Sequence, residues 1–212
     1  MKSRVLIINQ YFKTPEDKGV TRLYWIAKEF ESRGHSVTVL SHKNLNQFKR
    51  ERGSRVQKVS NDIHCKFIYT KYSNSMGLWG RLMSFSQFAC WATYRVLFVE
   101  KYDIIYASST PLTVAIPAIA ANLLRRKKYI LEVRDLWPSA PVELGELTNK
   151  YQIQVARFLE YHAYNRANKI VALSPGMLYG VLSRDKDFSE KTTVITNLAK
   201  TDVFYSEYED FI

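Results

Sequence analysis

The sequence predicts an α/β domain of the doubly wound, Rossmann-like kind, with one parallel sheet of about seven strands and helices on both faces. Three observations carry this. Short apolar runs alternate with helix-length segments along the chain, with no internal repeat. The runs at 104–107 and 129–133 do not alternate polar with apolar, which fits strands covered on both sides. Between them lies an apolar segment of helix length, 112–124, closed by Arg125-Arg126-Lys127-Lys128, and positive charge suits a helix C-terminus.

Taken in order, the first strand is the apolar run at 5–8. A polar loop containing Pro15 follows, then Gly19 and a helix from about Val20, with Val20, Leu23, Ala27 and Phe30 on one face. Gly34 is placed as its left-handed cap, before a second strand at 36–40. The stretch 44–60 is polar, and with Lys43, Lys49, Arg50, Arg52, Arg55 and Lys58 it is very basic. It reads as an exposed loop or short helix, either a solvated face or a contact for an anion. A third strand is expected at 63–69 and a turn at 71–75.

Residues 76–99 form a long, mostly apolar helix pattern. One stripe, Leu78, Leu82, Phe85, Ala89, Ala92, Val96 and Val99, can pack on a sheet. A second line, Arg81, Ser84, Phe88, Trp91 and Arg95, interleaves cations with aromatics as membrane-surface helices do. A core helix with an aromatic flank is the other reading of the same residues.

Further on, 141–150 reads as a loop. Ile153, Ala156, Leu159, Ala163 and Ala167 define a helix ending at Asn168, and 170–173 a strand ending at Ser174-Pro175-Gly176. A short helix at 177–182, a charged loop at 184–191 and a last strand at 193–195 complete a domain of residues 1–198. Residues 199–212 turn acidic, lose periodicity and read as a linker.

In open parallel sheets, ligands lie beyond the carboxyl ends of the strands. Two polar strand ends stand out: Ser108-Ser109-Thr110 and Arg134-Asp135. Thr110 could equally cap the following helix, and Arg134-Asp135 could be a surface ion pair. The first loop holds one glycine where a dinucleotide site carries G-x-G-x-x-G, which argues against a nicotinamide or flavin enzyme. Gly19 still lets an anion approach a helix N-terminus, or serves only the turn.

The composition narrows the partners. The chain has 212 residues, 46% of them hydrophobic, a formal net charge of +11 and a pI near 9.6, so an anionic partner is expected: nucleic acid, an anionic membrane surface or a phosphorylated substrate. Cys65 and Cys90 make no disulfide framework and are expected as buried apolar residues in a reducing compartment. No Cys/His metal spacing is present, no signal peptide is evident and no run reaches spanning length.

Gly19 before a helix, Arg33-Gly34-His35-Ser36-Val37-Thr38-Val39-Leu40, Tyr102-Asp103-Ile104-Ile105, Glu132-Val133-Arg134-Asp135-Leu136-Trp137-Pro138, Ala167-Asn168-Lys169-Ile170-Val171-Ala172-Leu173-Ser174 and Val194-Ile195-Thr196-Asn197 follow one another in order. Together they resemble the N-terminal, acceptor-side half of a retaining GT-B glycosyltransferase of the family-four, or group-one, type. The Arg134-to-Pro138 string is similar to members that build capsule, O-antigen and exopolysaccharide units in bacteria.

The resemblance implies transfer from a nucleotide-sugar to a polyprenyl-diphosphate-linked saccharide, with no metal or other cofactor. It implies a donor-binding C-terminal domain, which this sequence lacks, supplied in cis or in trans, so that the chain alone is expected to be inactive. Arg134 and Asp135 match the catalytic region, although many members carry a histidine there. Gly19 matches the glycine near the donor diphosphate, Ser174 the serine before the interdomain region, and Asn197 a partly kept Asn-Gly-Val-Asp stretch. Lys18, Arg22, Ser109 and Thr110 are added as candidates for donor-diphosphate or acceptor binding, and Arg81, Trp91 and Arg95 for the membrane surface.

The protein is therefore expected at the inner face of the cytoplasmic membrane, peripherally bound. The alternative is a non-catalytic membrane-anchoring subunit of a split transferase. A nucleic-acid binder rests on charge alone, without a recognition motif.

Overall fold

The computed structural model describes residues 2–17, 19–44, 55–71, 76–109 and 111–197. They form one eight-stranded sheet: β1 (Arg4–Ile8), β2 (Ser36–Asn44), β3 (Val56–Lys58), β4 (Ile63–Thr70), β5 (Ile104–Ser108), β6 (Lys128–Val133), β7 (Lys169–Ala172) and β8 (Thr192–Val194). The order is β3-β4-β2-β1-β5-β6-β7-β8. Every pairing is parallel except β3 with β4, where Val56 lies opposite Lys66 and Lys58 opposite His64.

β3 is the strand the sequence did not announce, because it is three residues long, exposed and set in a basic stretch. Lys49, Arg50 and Arg52 of that stretch, and the 199–212 linker, lie outside the described residues.

The helices are α1 (Arg22–Ser32), α2 (Leu78–Tyr94, continued by a π turn at Arg95–Val99), α3 (Ala115–Arg125), α4 (Ser139–Glu143), α5 (Lys150–Arg166) and α6 (Pro175–Leu182). Short 3-10 turns at Leu112–Val114 and Lys186–Lys191 add to them. Helix α4 and the second of these turns replace expected loops; both are too short for a period to be visible.

Strand alternation sorts the core into two layers. Leu6 and Ile8 of β1 join Phe88, Ala92 and Val96 of α2, Ala118 and Ala121 of α3, and Ala163 and Tyr164 of α5. Val5 and Ile7 point the other way, with Val37, Val39, Ile63 and Cys65, onto Leu23 and Ala27 of α1. Gly34 closes α1 at φ +83°, a conformation that glycine adopts without strain. Val20, expected on the buried face of α1, is exposed because it precedes the helix.

The long helix α2 corrects the sequence reading. Its buried side chains are Ser84, Phe88, Ala89, Ala92 and Val96, so Ala89, Ala92 and Val96 of the expected stripe do pack inward, and Ser84 Oγ lies in a 3.0 Å hydrogen bond with Thr70. The line proposed for a membrane surface therefore turns toward the protein. Arg81 donates to the Met76 carbonyl at 3.1 Å, Trp91 packs half-buried on the core beside Phe88, and Arg95 pairs with the buried Glu100. A helix apolar around most of its circumference has no pattern that selects its inner face; contact with the sheet selects it. Val99, placed in the core stripe, is exposed, and so is Cys90.

Candidate functional site

Between β1 and β5 the order of connection reverses, since β2 lies to one side of β1 and β5 to the other. A crevice opens at the carboxyl ends there, as the topology requires. As the chain leaves β1, Asn9 fixes its path. Asn9 Nδ2 donates to the Ser108 carbonyl at 3.3 Å, and Asn9 Oδ1 accepts from the Tyr11 amide at 2.9 Å. Ser41 Oγ then accepts from the Phe12 amide at 3.1 Å. These bonds carry Tyr11 and Lys13 over the strand ends. Gly19 follows with φ +134°, a backbone setting in which any other residue is strained.

The end of β6 is held just as firmly. Ser109 is buried and its Oγ accepts from the Arg134 amide at 3.1 Å. After β7, Ser174 caps α6 by accepting from the Met177 amide at 3.2 Å, with Pro175 in the first turn. Gly180 lies on α6 where a Cβ would meet the Leu136 side chain at 2.4 Å, so the helix packs closely on the residue that follows Asp135.

These anchored ends wall a cleft of about 500 Å³, lined by Tyr11, Lys13, Gly19, Val20, Arg134, Asp135, Leu173, Ser174, Met177 and Asn197. A smaller, more apolar lobe of about 220 Å³ adjoins it, lined by Arg81, Leu82, Phe85, Pro111, Trp137, Pro141, Glu146 and Leu147. Tyr11 and Asp135 line both lobes and so stand at their junction. The first lobe presents two cations, Lys13 and Arg134; the second presents ring and aliphatic surface. Such a pair suits an anionic group on one side and a flat or greasy group on the other.

Beneath the cleft lies a buried ionic node. Glu132 is fully buried inside β6 and its Oε2 accepts from Arg22 Nε at 3.0 Å. The same carboxylate accepts from the Tyr106 hydroxyl at 2.6 Å and the Ser108 hydroxyl at 2.8 Å. Arg22 also donates to the carbonyls of Thr196 at 2.5 Å and Ile195 at 3.0 Å. Burial, and then the neighbouring Glu132 charge, push the Tyr106 phenol upward from its ordinary value, so it stays a donor. The node ties α1 to the end of β8.

Of the residues expected from the sequence, Gly19, Arg134, Asp135, Ser174 and Asn197 come together in the cleft, and Ser109 sits behind them. Arg22, expected at a diphosphate, is instead consumed by Glu132 and the 195–196 carbonyls. Arg81 reaches the apolar lobe, while Trp91 and Arg95 do not line either lobe. Lys18 and Thr110 lie outside the described residues. Tyr11, Lys13 and Glu132 were not singled out. The signal for Glu132 was a lone carboxylate inside an apolar strand. Among the described residues no cluster of His, Cys, Asp and Glu is arranged to hold a metal.

The family described as "Glycosyl transferase 4-like domain" matches residues 19–197. No curated protein matches the sequence. Among solved structures, Anabaena HepE in complex with UDP-glucose superposes with a TM-score of 0.56 at 15% identity, covering 97% of this chain and 47% of that one. Sucrose-phosphate synthase from Thermosynechococcus elongatus gives a TM-score of 0.59 at 10% identity, covering 94% and 92%. The E. coli trehalose-6-phosphate protein bound with UDP-2-fluoro glucose gives 0.55 at 11% identity, covering 91% and 48%. The chain thus spans about half the length of HepE, and at these identities the likeness establishes the fold, that of one half of a GT-B architecture.

Proposed function

The chain belongs to the glycosyl transferase 4-like domain family, and from that premise we propose that it is the acceptor-binding half of a retaining glycosyltransferase of bacterial surface polysaccharide assembly. In this reading a sugar passes from a nucleotide-sugar to a lipid-linked saccharide. A donor-binding domain, in cis or in trans, faces the cleft and completes the site. The observation that carries the reading is the two-lobed cleft with Asp135 and Tyr11 at its junction.

The roles follow from the chemistry of transfer. The bond from the anomeric carbon to the diphosphate breaks, and negative charge grows on the leaving oxygen. The Gly19 backbone approaches the donor diphosphate there, and Lys13 and Arg134 present positive groups to the diphosphate of the lipid-linked acceptor. The acceptor hydroxyl must be held against the reacting carbon, and Asp135, exposed at the junction, is the carboxylate to orient it. Leu82, Phe85, Trp137 and Leu147 offer the acceptor's apolar surface a wall. No resident cofactor is required.

The test is transfer of radiolabelled sugar from a panel of UDP- and GDP-sugars to membrane lipid extract. The 212-residue chain alone should transfer none above background, and supplying a donor-binding half should restore transfer that Asp135→Asn lowers about a hundredfold. Transfer unchanged in Asp135→Asn would refute the assignment of the cleft.

A further inference from the structure

Helices α2, α3 and α5 lie side by side over one face of the sheet, α3 between the other two. Their inner faces build the main core, yet their outer faces are not polar. Tyr94 and Phe98 on the α2 rod, Leu124 on α3, and Tyr151, Val155 and Phe158 on α5 are each more than half exposed. Scattered single apolar residues on a surface are ordinary, but large exposed apolar side chains on three adjacent helices, aromatic on two of them, mark a surface that meets something.

The charge on this layer selects the partner. The segments 78–99 and 115–125 contain no Asp or Glu, and 150–166 contains one, Glu160, which is buried against Arg184 at 2.8 Å. The carboxylate that follows α2, Glu100, is also buried, held by Lys66 and Arg95. Among the described residues of the three helices, all the exposed charge is therefore positive, as at Arg157 on α5, and the exposed Arg126 and Lys101 follow α3 and the α2 rod in the chain. A protein partner of mixed charge would need some carboxylates to answer. A uniformly cationic, aromatic-rich plane matches a sheet of anionic lipid headgroups.

We propose that the outer face of the α2–α3–α5 layer is the surface by which this protein lies on an anionic bilayer. It is a different face from the Arg81, Trp91 and Arg95 line, which is committed to internal contacts. Helix α2 joins the two functions: one side gives Arg81, Leu82 and Phe85 to the apolar lobe, and the other lies on the membrane. The purpose of this arrangement rests on the lipid-linked acceptor proposed above; its location rests on the helical layer alone. Vesicle binding and sugar transfer are read separately, so either can fail without the other.

The test is flotation of the 212-residue chain with phosphatidylcholine vesicles, with and without phosphatidylglycerol. Binding should be at least tenfold stronger with the anionic lipid and should fall on raising salt from about 0.15 to 1 M, as the screening length shrinks from ~8 to ~3 Å. The F98S/L124S/F158S and K101Q/R126Q/R157Q variants should each lose binding at least tenfold while melting near the wild type. Single F98S and F158S variants keep the test open should a triple variant melt early. Binding unchanged in both triple variants would overturn the proposal. So would a chain that ignores anionic vesicles and is a dimer by light scattering, made monomeric by F98S/L124S/F158S, since a second copy would then cover the face.

Discussion

Two pairs of opposite charge lie within a few residues of each other and do opposite things. Glu132 is inside β6 and meets Arg22 in the dry interior, with Tyr106 and Ser108 completing its shell. Arg134 and Asp135 come just past the strand end and line the cleft. The difference is position relative to the sheet. A carboxylate within a buried strand must have every lone pair answered or it destabilises the fold. A charge beyond the strand end keeps contact with water and faces the cleft. So the first pair should matter to stability, and the second to chemistry.

The largest effect expected is from Glu132→Leu, which leaves Arg22 buried without its partner and two hydroxyls without an acceptor. It should cost about 3–5 kcal/mol, lowering the melting temperature by roughly 10 °C. Arg22→Met combined with Glu132→Leu should be less destabilised than the sum of the single changes, measured as a double-mutant cycle. Additive losses would mean that the pair is not a unit.

Arg134→Ala and Asp135→Asn should show the reverse, each changing stability by under ~1 kcal/mol while lowering transfer by the completed enzyme about a hundredfold. A melting shift as large as that of Glu132→Leu would erase the distinction between the two pairs. Gly180→Ala lies between them. Its Cβ would press on Leu136, and overpacking of this kind costs about 1–3 kcal/mol. Because Leu136 follows Asp135, transfer should fall as well as stability.

The smallest effect concerns a peripheral carboxylate. Glu31 accepts from Lys28, from Ser60 and from the Asp62 amide, and these hydrogen bonds hold its pKa down to about 2, from an ordinary 4.5. A depressed folded value means that the stabilisation is whole above the unfolded value and is lost as pH falls toward 2. Glu31→Gln should be less stable than wild type at pH 7, and the gap should close between about pH 4.5 and pH 2 in denaturant melts. A gap constant across that window would show that the carboxylate contributes nothing through its charge.

Much of this was legible in the sequence where a pattern had length. The runs around β1, β2, β4, β5, β6 and β7 are apolar and bounded by polar ends, so their succession along the chain and the parallel character of the sheet followed from them. Arg134 and Asp135 were visible because strand ends converge in a parallel sheet, whereas Gly19, Ser174 and Asn197 came from the family resemblance. What escaped has physical causes. β3 is short and exposed, and α4 has fewer than two turns. The apolar circumference of α2 hid which side faced inward. Arg22 looked like a diphosphate ligand because nothing local announces a partner 110 positions away in the chain.

The central claim is that the cleft serves an acceptor carrying a diphosphate on an apolar chain. It is tested most directly by titrating the 212-residue chain with farnesyl diphosphate and, separately, with UDP-glucose. The account predicts saturable binding of farnesyl diphosphate, at least tenfold tighter than UDP-glucose and lost in Arg134→Ala. Tight binding of UDP-glucose with none of farnesyl diphosphate, or farnesyl diphosphate binding indifferent to Arg134→Ala, would contradict it.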